Sequence, residues 1–248
     1  RLYGWSPATL SIGFNQGDVL TSGLPVERVR VPVVRRMTGG RAIFHDRELT
    51  YSIVCAEDDP IFGGSVWETY LKISACLVDA LRSIGIDAAV AGAKGRDPSA
   101  YGSPREGSPS CFSTPSPHEI AVGEAKIAAS AQRRARGTLL QHGSILVDFD
   151  PARLAEVLGL DLEGEGRAEY LRARVGWIGR YRAERWTAQA LGARLLDAIG
   201  ARTGIHWFFA DLNAEEIALA HHLKDRKYSR ATWTLKRLEP GRERAERG

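Results

Sequence analysis

The chain has 248 residues, of which 44% are hydrophobic and 26% charged, and a formal net charge of +4. These proportions are ordinary for a soluble globular protein, and no apolar run approaches the roughly 18 residues of a membrane span, because Arg, Asp, Glu or Gly interrupts each one. Three cysteines, an odd and sparse number, argue against a disulfide framework and suit a reducing cytoplasm. The positive charge is spread along the chain as arginine. A basic surface of that kind attracts nucleic acid, membrane or an acidic protein, or is simply solvated. Arg1 is not an initiator methionine and Met37 is the single methionine, so the numbering is expected to begin inside a longer gene product.

Up to Cys55 the chain reads as strands joined by turns. LSIGF, VRVPVV, RAIFH and TYSIVC carry β-branched and aromatic residues between Gly, Pro and Asp. A helix follows from about Ser65 to Ser83, where Val66, Tyr70, Ile73, Leu77, Leu81 and Ile84 recur at steps of three and four and make one apolar stripe. Cys76 lies on this helix, and both it and Cys55 read as small core residues. IDAAV at 86–90 reads as a short strand. From Ala91 to Ser110, Gly, Pro and Ser fill 11 of 20 positions. Such a stretch cannot bury enough apolar surface to order itself, so 91–110 is expected to be a mobile loop beside a site or an inert insertion.

HEIAV, the Gly123-Glu124 turn, KIAAS and TLLQHGSILVDF read as a hairpin and a further antiparallel strand. Beyond Pro151 helices dominate: PARLAEVLG, AEYLRARVGWIGRY, and Ala183 to about Arg202 with Trp186, Ala190, Leu191, Leu195 and Ile199 on its buried face. IHWFFADL reads as one more strand. Asn213 with Glu216 makes a capping box that opens a helix through about Lys224. Residues 239–248 read as a charged, disordered tail. Strands first and helices later, without repeat or linker, describe a single α+β domain over residues 1–238.

The chemistry concentrates in two segments. Cys111 ends the Gly/Pro/Ser-rich stretch, and Lys126 follows it by 15 residues at the start of a strand. A thiol is a useful nucleophile at neutral pH when a nearby cation stabilises its thiolate. Lys126 supplies that cation as an ammonium, or accepts a proton as a neutral amine. Upstream, RRMTGGRAIFHD places glycines where backbone can lie against a ligand, which suits acyl transfer through a cysteine thioester. His45 and His142 are candidates for orienting a site group or relaying a proton, and hydrogen-bonded structural histidines are equally consistent. His118 is a possible base, while His221 and His222 read as structural. No His/Cys/Asp set has metal-site spacing, and neither a Walker A loop nor a dinucleotide fingerprint occurs.

RRMTGGRAIFHD followed by ELTYSI, and KIAASAQRR followed by LQHGSIL, resemble the biotin/lipoate A/B protein ligase family. Within it, the chain is most similar to the bacterial octanoyltransferases that carry octanoyl from acyl carrier protein to lipoyl-accepting proteins. The resemblance runs from RLYGWSPATLSIG to RKYSRATWTLKR. It implies a mixed, mostly antiparallel sheet covered by helices, like the catalytic domains of class II aminoacyl-tRNA synthetases and biotin protein ligases, with the acyl site in a cleft on the sheet. It also implies an acyl-enzyme on Cys111 with Lys126 as partner. Substrate contacts are expected from Arg35, Arg36, Thr38, Gly39, Gly40, Arg41 and His45 in the first segment, and from Ser130, Gln132, His142 and Gly143 in the second. The implied donor is octanoyl-acyl carrier protein, and the acceptor a lipoyl domain or glycine cleavage H protein. No metal, cofactor, nucleic acid or membrane takes part.

Arg41 stands where ATP-dependent lipoate ligases of the family carry a third glycine, and no residues remain for their C-terminal accessory domain. Both departures tilt the reading toward a transferase. The family's N-terminal helical segment is absent from this numbering. Three alternatives are separable by experiment. A lipoate–protein ligase would use ATP and magnesium and survive loss of Cys111. An amidotransferase would differ in its acyl donor. A basic nucleic-acid-binding scaffold would retain DNA in a salt-sensitive way without moving an acyl group.

Overall fold

The computed structural model describes residues 1–17, 30–91, 119–158 and 167–237. The alternating strands of the sequence pair into two sheets. The larger has the spatial order β1 (Leu2–Tyr3), β5 (Glu48–Ala56), β9 (Thr138–Leu146), β8 (Ala125–Ala135), β7 (Ile120–Val122) and β6 (Ala89–Val90), all antiparallel. In the smaller, β2 (Thr9–Ile12) lies between β3 (Val33–Arg35), its parallel neighbour, and β4 (Ile43–His45), its antiparallel one. The β8–β9 hairpin closes at Arg136 and Gly137, with φ of 55° and 74°. Two successive positive φ values match the right-handed twist of the flanking strands.

Side-chain alternation gives the larger sheet two unlike faces. Leu49 and Tyr51 of β5, Ile145 of β9 and Ala128 of β8 enter the main core with α1 (Val66–Ser83) and α5 (Ala188–Thr203). The other face carries Glu48, Thr50 and Ser52 opposite Leu146, Ser144 and His142, with Ala129 and Ala131 beside them on β8. α1 begins at the expected place. Ser65 accepts from the Glu68 amide while the Glu68 carboxylate accepts from the Ser65 amide. Ile73, Leu77, Leu81 and Ile84 of the predicted stripe are buried, each contributing about 1.5–3 kcal/mol. Val66, at the first turn, is 51% exposed and stands outside that stripe.

One irregularity in β8 re-aims its first residues. Ile120 pairs with Ala128 but Ala121 pairs with Lys126, so Ile127 is an extra residue. Ile127 and Ala128 consequently both enter the core under α1 and α5. The bulge returns Lys126 to the face that carries Ala129 and Ala131. Without it, Lys126 would share the parity of Ala128 and point at the helices.

The helical half departs from the sequence reading in three places. AEYLRARVGWIGRY is two helices, α3 (Arg167–Arg174) and α4 (Ile178–Tyr181). Between them Val175 bridges to Lys126, and the Gly176 amide donates to the Lys126 carbonyl at 2.8 Å. α5 starts at Ala188 because Thr187 caps it, its hydroxyl accepting from the Ala190 amide, and Ala190 itself is exposed. IHWFFADL forms no strand: it runs irregularly over Ile205–Leu212 with Phe208 and Phe209 86% and 89% exposed. β-propensity alone does not make a strand: this segment forms no ladder with β1 or β6, the two edges of the larger sheet. α2 (Pro151–Leu158) covers the smaller sheet. α6 (Ala214–Leu223) opens with the predicted Asn213–Glu216 capping box.

After α6 a π-helical turn, Lys224–Tyr228, leads to α7 (Ala231–Lys236). Trp233 of α7 is 1% exposed, and its indole N–H donates to the Arg35 carbonyl at 3.1 Å. The equally buried Arg35 guanidinium donates back to the carbonyls of Trp233, Thr234 and Leu235, and also to those of Gly13, Phe14, Gln16 and Gly17. The chain's late helix is thereby tied to the turn after β2. The 92–110 part of the expected mobile loop, Cys111, His118 and the 239–248 tail lie outside the described residues. Replacing Trp233 with Ala should lower unfolding free energy by about 3–5 kcal/mol in a denaturant titration, through lost packing and an exposed Arg35 carbonyl.

Candidate functional site

A cavity of about 390 Å³ opens between the two sheets, within the ordinary range for small-molecule sites. Its floor is the polar face of the larger sheet at Thr50, Ser52, Ala129, Ala131, Leu140 and His142. The small side chains of Ala129 and Ala131 leave the space. The opposite wall is the smaller sheet and the loop after it, through Ser11, Met37, Gly40 and His45. Tyr228, delivered by the π-helical turn, closes one side and packs edge-on against Trp233 with centroids 5.7 Å apart.

The Arg36–Arg41 loop is shaped from within. Arg36 donates to the carbonyls of Gly39 and Arg41, and also to the carbonyl and hydroxyl of Ser11. Gly40 takes φ +91°, and a Cβ on Gly13 would sit 1.8 Å from the Gly40 carbonyl oxygen. Both positions therefore demand glycine, the first for its dihedral and the second for contact. A Cβ on Gly39 would meet only the Asn15 amide nitrogen at 3.6 Å, so sterics do not require glycine there. From β8, Arg133 props the loop by donating to the Met37 carbonyl at 2.9 Å. Arg41 is half-buried outside the cavity wall.

Thr38 and His142 meet across the cavity, Oγ1 to Nε2 at 2.6 Å. Burial, helped by the charge of Arg36 and then His45, pushes the His142 pKa down to about 4, so this imidazole is neutral at pH 7. His45 stacks on Trp5 with centroids 4.3 Å apart, and its Nδ1 lies 2.7 Å from Glu48 Oε1. The same carboxylate oxygen accepts from Thr50 Oγ1 at 2.6 Å and Ser144 Oγ at 2.7 Å.

Lys126 is buried at 3% exposure and paired with Glu119, which is also buried. Ile120 points into the core, so its neighbour Glu119 lies on the cavity side, matching the side to which the bulge turns Lys126. This ammonium–carboxylate pair does not line the cavity itself. Glu119 is the first described residue after the segment that holds Cys111. Among the described cysteines, Cys55 and Cys76 lie on the opposite face of the sheet, and burial pushes the Cys76 thiol up to about 11. Neither is a ready thiolate.

Three expected substrate contacts have other partners. The Arg35 guanidinium is engaged by backbone carbonyls in the protein's interior and frames the site without facing it. Ser130 donates or accepts with Tyr51 at 2.6 Å on the helix-covered face, although its backbone borders the cavity. Gln132 pairs with Gln141 at 3.0 Å and accepts from Arg134 on that same face. Gly143 borders the cavity with its backbone, and a Cβ there would meet the Ala129 carbonyl at 2.4 Å and Tyr51 at 2.7 Å. Sequence reasoning missed Trp5, Gly13, Glu48, Glu119, Ser144 and Tyr228. An acid three positions after His45 across a tight turn, and one seven positions before Lys126, were the available signals.

Among the described residues, no group of three or more His, Cys, Asp and Glu could hold a metal ion, and no helix is long and apolar enough to cross a membrane.

The model of the lipoyl protein ligase A/B catalytic domain matches residues 1–200. Octanoyltransferase LipM of Brevibacillus brevis is 36% identical over 249 residues, covering 96% of this chain and 87% of that protein. Octanoyltransferase LipM of Kyrpidia tusciae is 40% identical over 254 residues, with 96% and 86% covered. Among solved structures, the bipartite lipoate protein ligase of Thermoplasma acidophilum superposes with a TM-score of 0.73 at 22% identity, over 96% of this chain and 84% of that one. A lipoate-protein ligase A bound with ATP gives 0.70 at 23% identity, over 93% and 83%. At those identities the structures speak for the fold: the mixed α+β architecture with a mostly antiparallel sheet that the motifs implied.

The depressed pKa of His142 has a consequence for stability. The unfolded imidazole binds a proton near pH 6.5, whereas the folded one resists until about 4, so folding stability falls as pH drops through that window. Replacing His142 with Gln should flatten unfolding free energy over that range, removing a wild-type slope worth about 3 kcal/mol in total.

Proposed function

This chain belongs to the lipoyl protein ligase A/B catalytic-domain family, and on that premise we propose that it is an octanoyltransferase working through a thioester on Cys111. The octanoyl group arrives on acyl carrier protein and leaves as an amide on a lysine of a lipoyl-accepting protein, either a lipoyl domain or a glycine cleavage H protein. The observation that carries this reading is the run of octanoyltransferases matching at 34–40% identity over 96% of the chain. The arrangement around the cavity supplies what such a reaction needs.

Burying each methylene of an eight-carbon chain gains about 0.8 kcal/mol, so an octanoyl tail in the inter-sheet cavity gains about 5 kcal/mol gross. The Lys126–Glu119 pair puts a buried ammonium 15 residues beyond Cys111 in sequence, on the cavity face of the sheet. Such a cation stabilises a thiolate nucleophile and the oxyanion that forms when it attacks a thioester. Arg36, Thr38, Gly39, Gly40 and Arg41 form the rim against the acyl donor, with His142 and Gly143 across from them. Arg41 faces the phosphopantetheine arm or an acidic carrier surface, where opposite charge favours encounter. Since the acyl group comes already activated as a thioester, the reaction consumes no ATP and requires no cofactor. Residues 1–238 act as one catalytic unit, in the reducing cytoplasm where a working thiol persists.

Incubation with octanoyl-acyl carrier protein followed by mass spectrometry should show one octanoyl adduct on Cys111. The Cys111→Ala variant should form no adduct and transfer no octanoate, while activity of that variant with free lipoate and ATP would overturn the proposal. Lys126→Met should slow adduct formation by about 100-fold or more. It should also destabilise the fold by about 3–5 kcal/mol, because Glu119 is left as a buried, uncompensated charge.

A further inference from the structure

The chain's net positive charge is concentrated in one place. Residues 224–237, the π-helical turn and α7, hold six Lys and Arg side chains against one acid, Asp225, a charge of +5 in a chain of +4 overall. The rest of the chain is therefore slightly acidic. Lys224, Arg226, Arg230, Lys236 and Arg237 are exposed. Among the described residues, no carboxylate pairs with Lys224, Arg226, Lys236 or Arg237.

Aromatic rings hold part of this cluster in place. Lys227 Nζ lies 4.1 Å from the Trp233 ring centroid and 5.5 Å from that of Tyr228. Arg237 and Arg133 approach the same Phe14 ring, 5.3 and 4.9 Å from its centroid. A ring attracts a cation through its quadrupole and leaves the charge intact, whereas a carboxylate cancels it. The cluster also borders the cavity. Tyr228 lines the cavity from the basic turn itself, and Arg133 holds Met37, another lining residue, by its carbonyl. Phe14 packs on Trp233 with centroids 5.8 Å apart, and Trp233 is bonded to Arg35, so the cations are fixed relative to the cavity wall.

We infer that this basic surface docks the acyl donor, an acidic protein that presents its thioester on a phosphate-bearing arm. The inference rests on the octanoyl-transfer reading above and assigns the donor's footing to the π-helical turn and α7. Two proteins approach the site in turn, and what they present differs in charge. The donor brings an acidic surface and the phosphodiester of its arm, which a cationic rim attracts. The acceptor brings a lysine ammonium, which the same rim repels. A nucleic acid duplex meets the same cations, but the slightly acidic remainder of the chain opposes so long a polyanion.

The test compares wild type, Lys224→Glu/Arg226→Glu and Lys236→Glu full-length chains in the loading of Cys111, read by mass spectrometry. The donor is either octanoyl-acyl carrier protein or octanoyl-pantetheine, which has neither the acidic protein nor the phosphate. The double reversal should raise the KM for octanoyl-acyl carrier protein by about 10-fold or more with kcat unchanged, and Lys236→Glu by a smaller factor. The deficit should shrink as salt rises toward about 1 M, where the Debye length is about 3 Å. Loading from octanoyl-pantetheine, and transfer from the loaded enzyme to a lipoyl-domain protein, should stay at wild-type rates. The neutral pair Lys224→Gln/Arg226→Gln should fall between wild type and the double reversal. An unchanged KM for the carrier, an equal deficit with octanoyl-pantetheine in both the Glu and the Gln pairs, or a deficit confined to the acceptor step would overturn the inference. So would salt-sensitive retention of duplex DNA that the carrier fails to displace. Failure of the wild type to load from either donor would instead overturn the thioester reading, which keeps the two apart.

Discussion

Everything at the site follows from the rule that a β-strand presents successive side chains to opposite faces. In β5, β9 and β8 one set must be apolar to meet α1 and α5, and the other is thereby free to be polar and small. The rule is broken once near the site, at Ile127. That single inserted residue lets an apolar pair fill the core while a charged side chain turns to the opposite face. The break between α3 and α4 belongs to the same device, since the backbone at Val175 and Gly176 comes down to satisfy the bulged end of β8.

The polar face then separates its charges into two stations. One pairs Lys126 with Glu119 where β8 meets β7, and the other pairs His45 with Glu48 beside β1 and β5. Between them lies uncharged ground: alanines, hydroxyls and a histidine kept neutral by burial. An apolar acyl chain suits that middle ground.

The architecture was largely legible in the sequence because its signals are local. The apolar stripe of α1 and the Ser65 cap lie within a few turns of one another, and the strand alternation repeats every second residue. The RRMTGGR segment announced a close-packed loop through its glycines, though not that Gly13, nearly thirty residues earlier, is what it packs against. Faces were harder. Ser130 and Gln132 stand in a motif that reads as site-forming, but the register of β8 turns their side chains toward Tyr51 and Gln141. Arg35 was expected to meet substrate, but three of its acceptors are carbonyls about 200 residues away, which no pattern reveals. IHWFFADL misled because composition favours a strand, while a strand exists only where a ladder forms, and none does here.

Arg35 also dictates when the site can exist. Its acceptors come from the turn after β2 and from α7, among the last described residues of the chain. During synthesis, a nascent chain that has not yet released α7 holds this guanidinium with three of its seven carbonyls missing, and the wall bearing Tyr228 has no anchor. The smaller sheet and the loop it carries therefore reach their final form only once α7 has been made. Termination before Tyr228 removes this cavity wall together with its anchor, so a shortened product lacks the formed cavity.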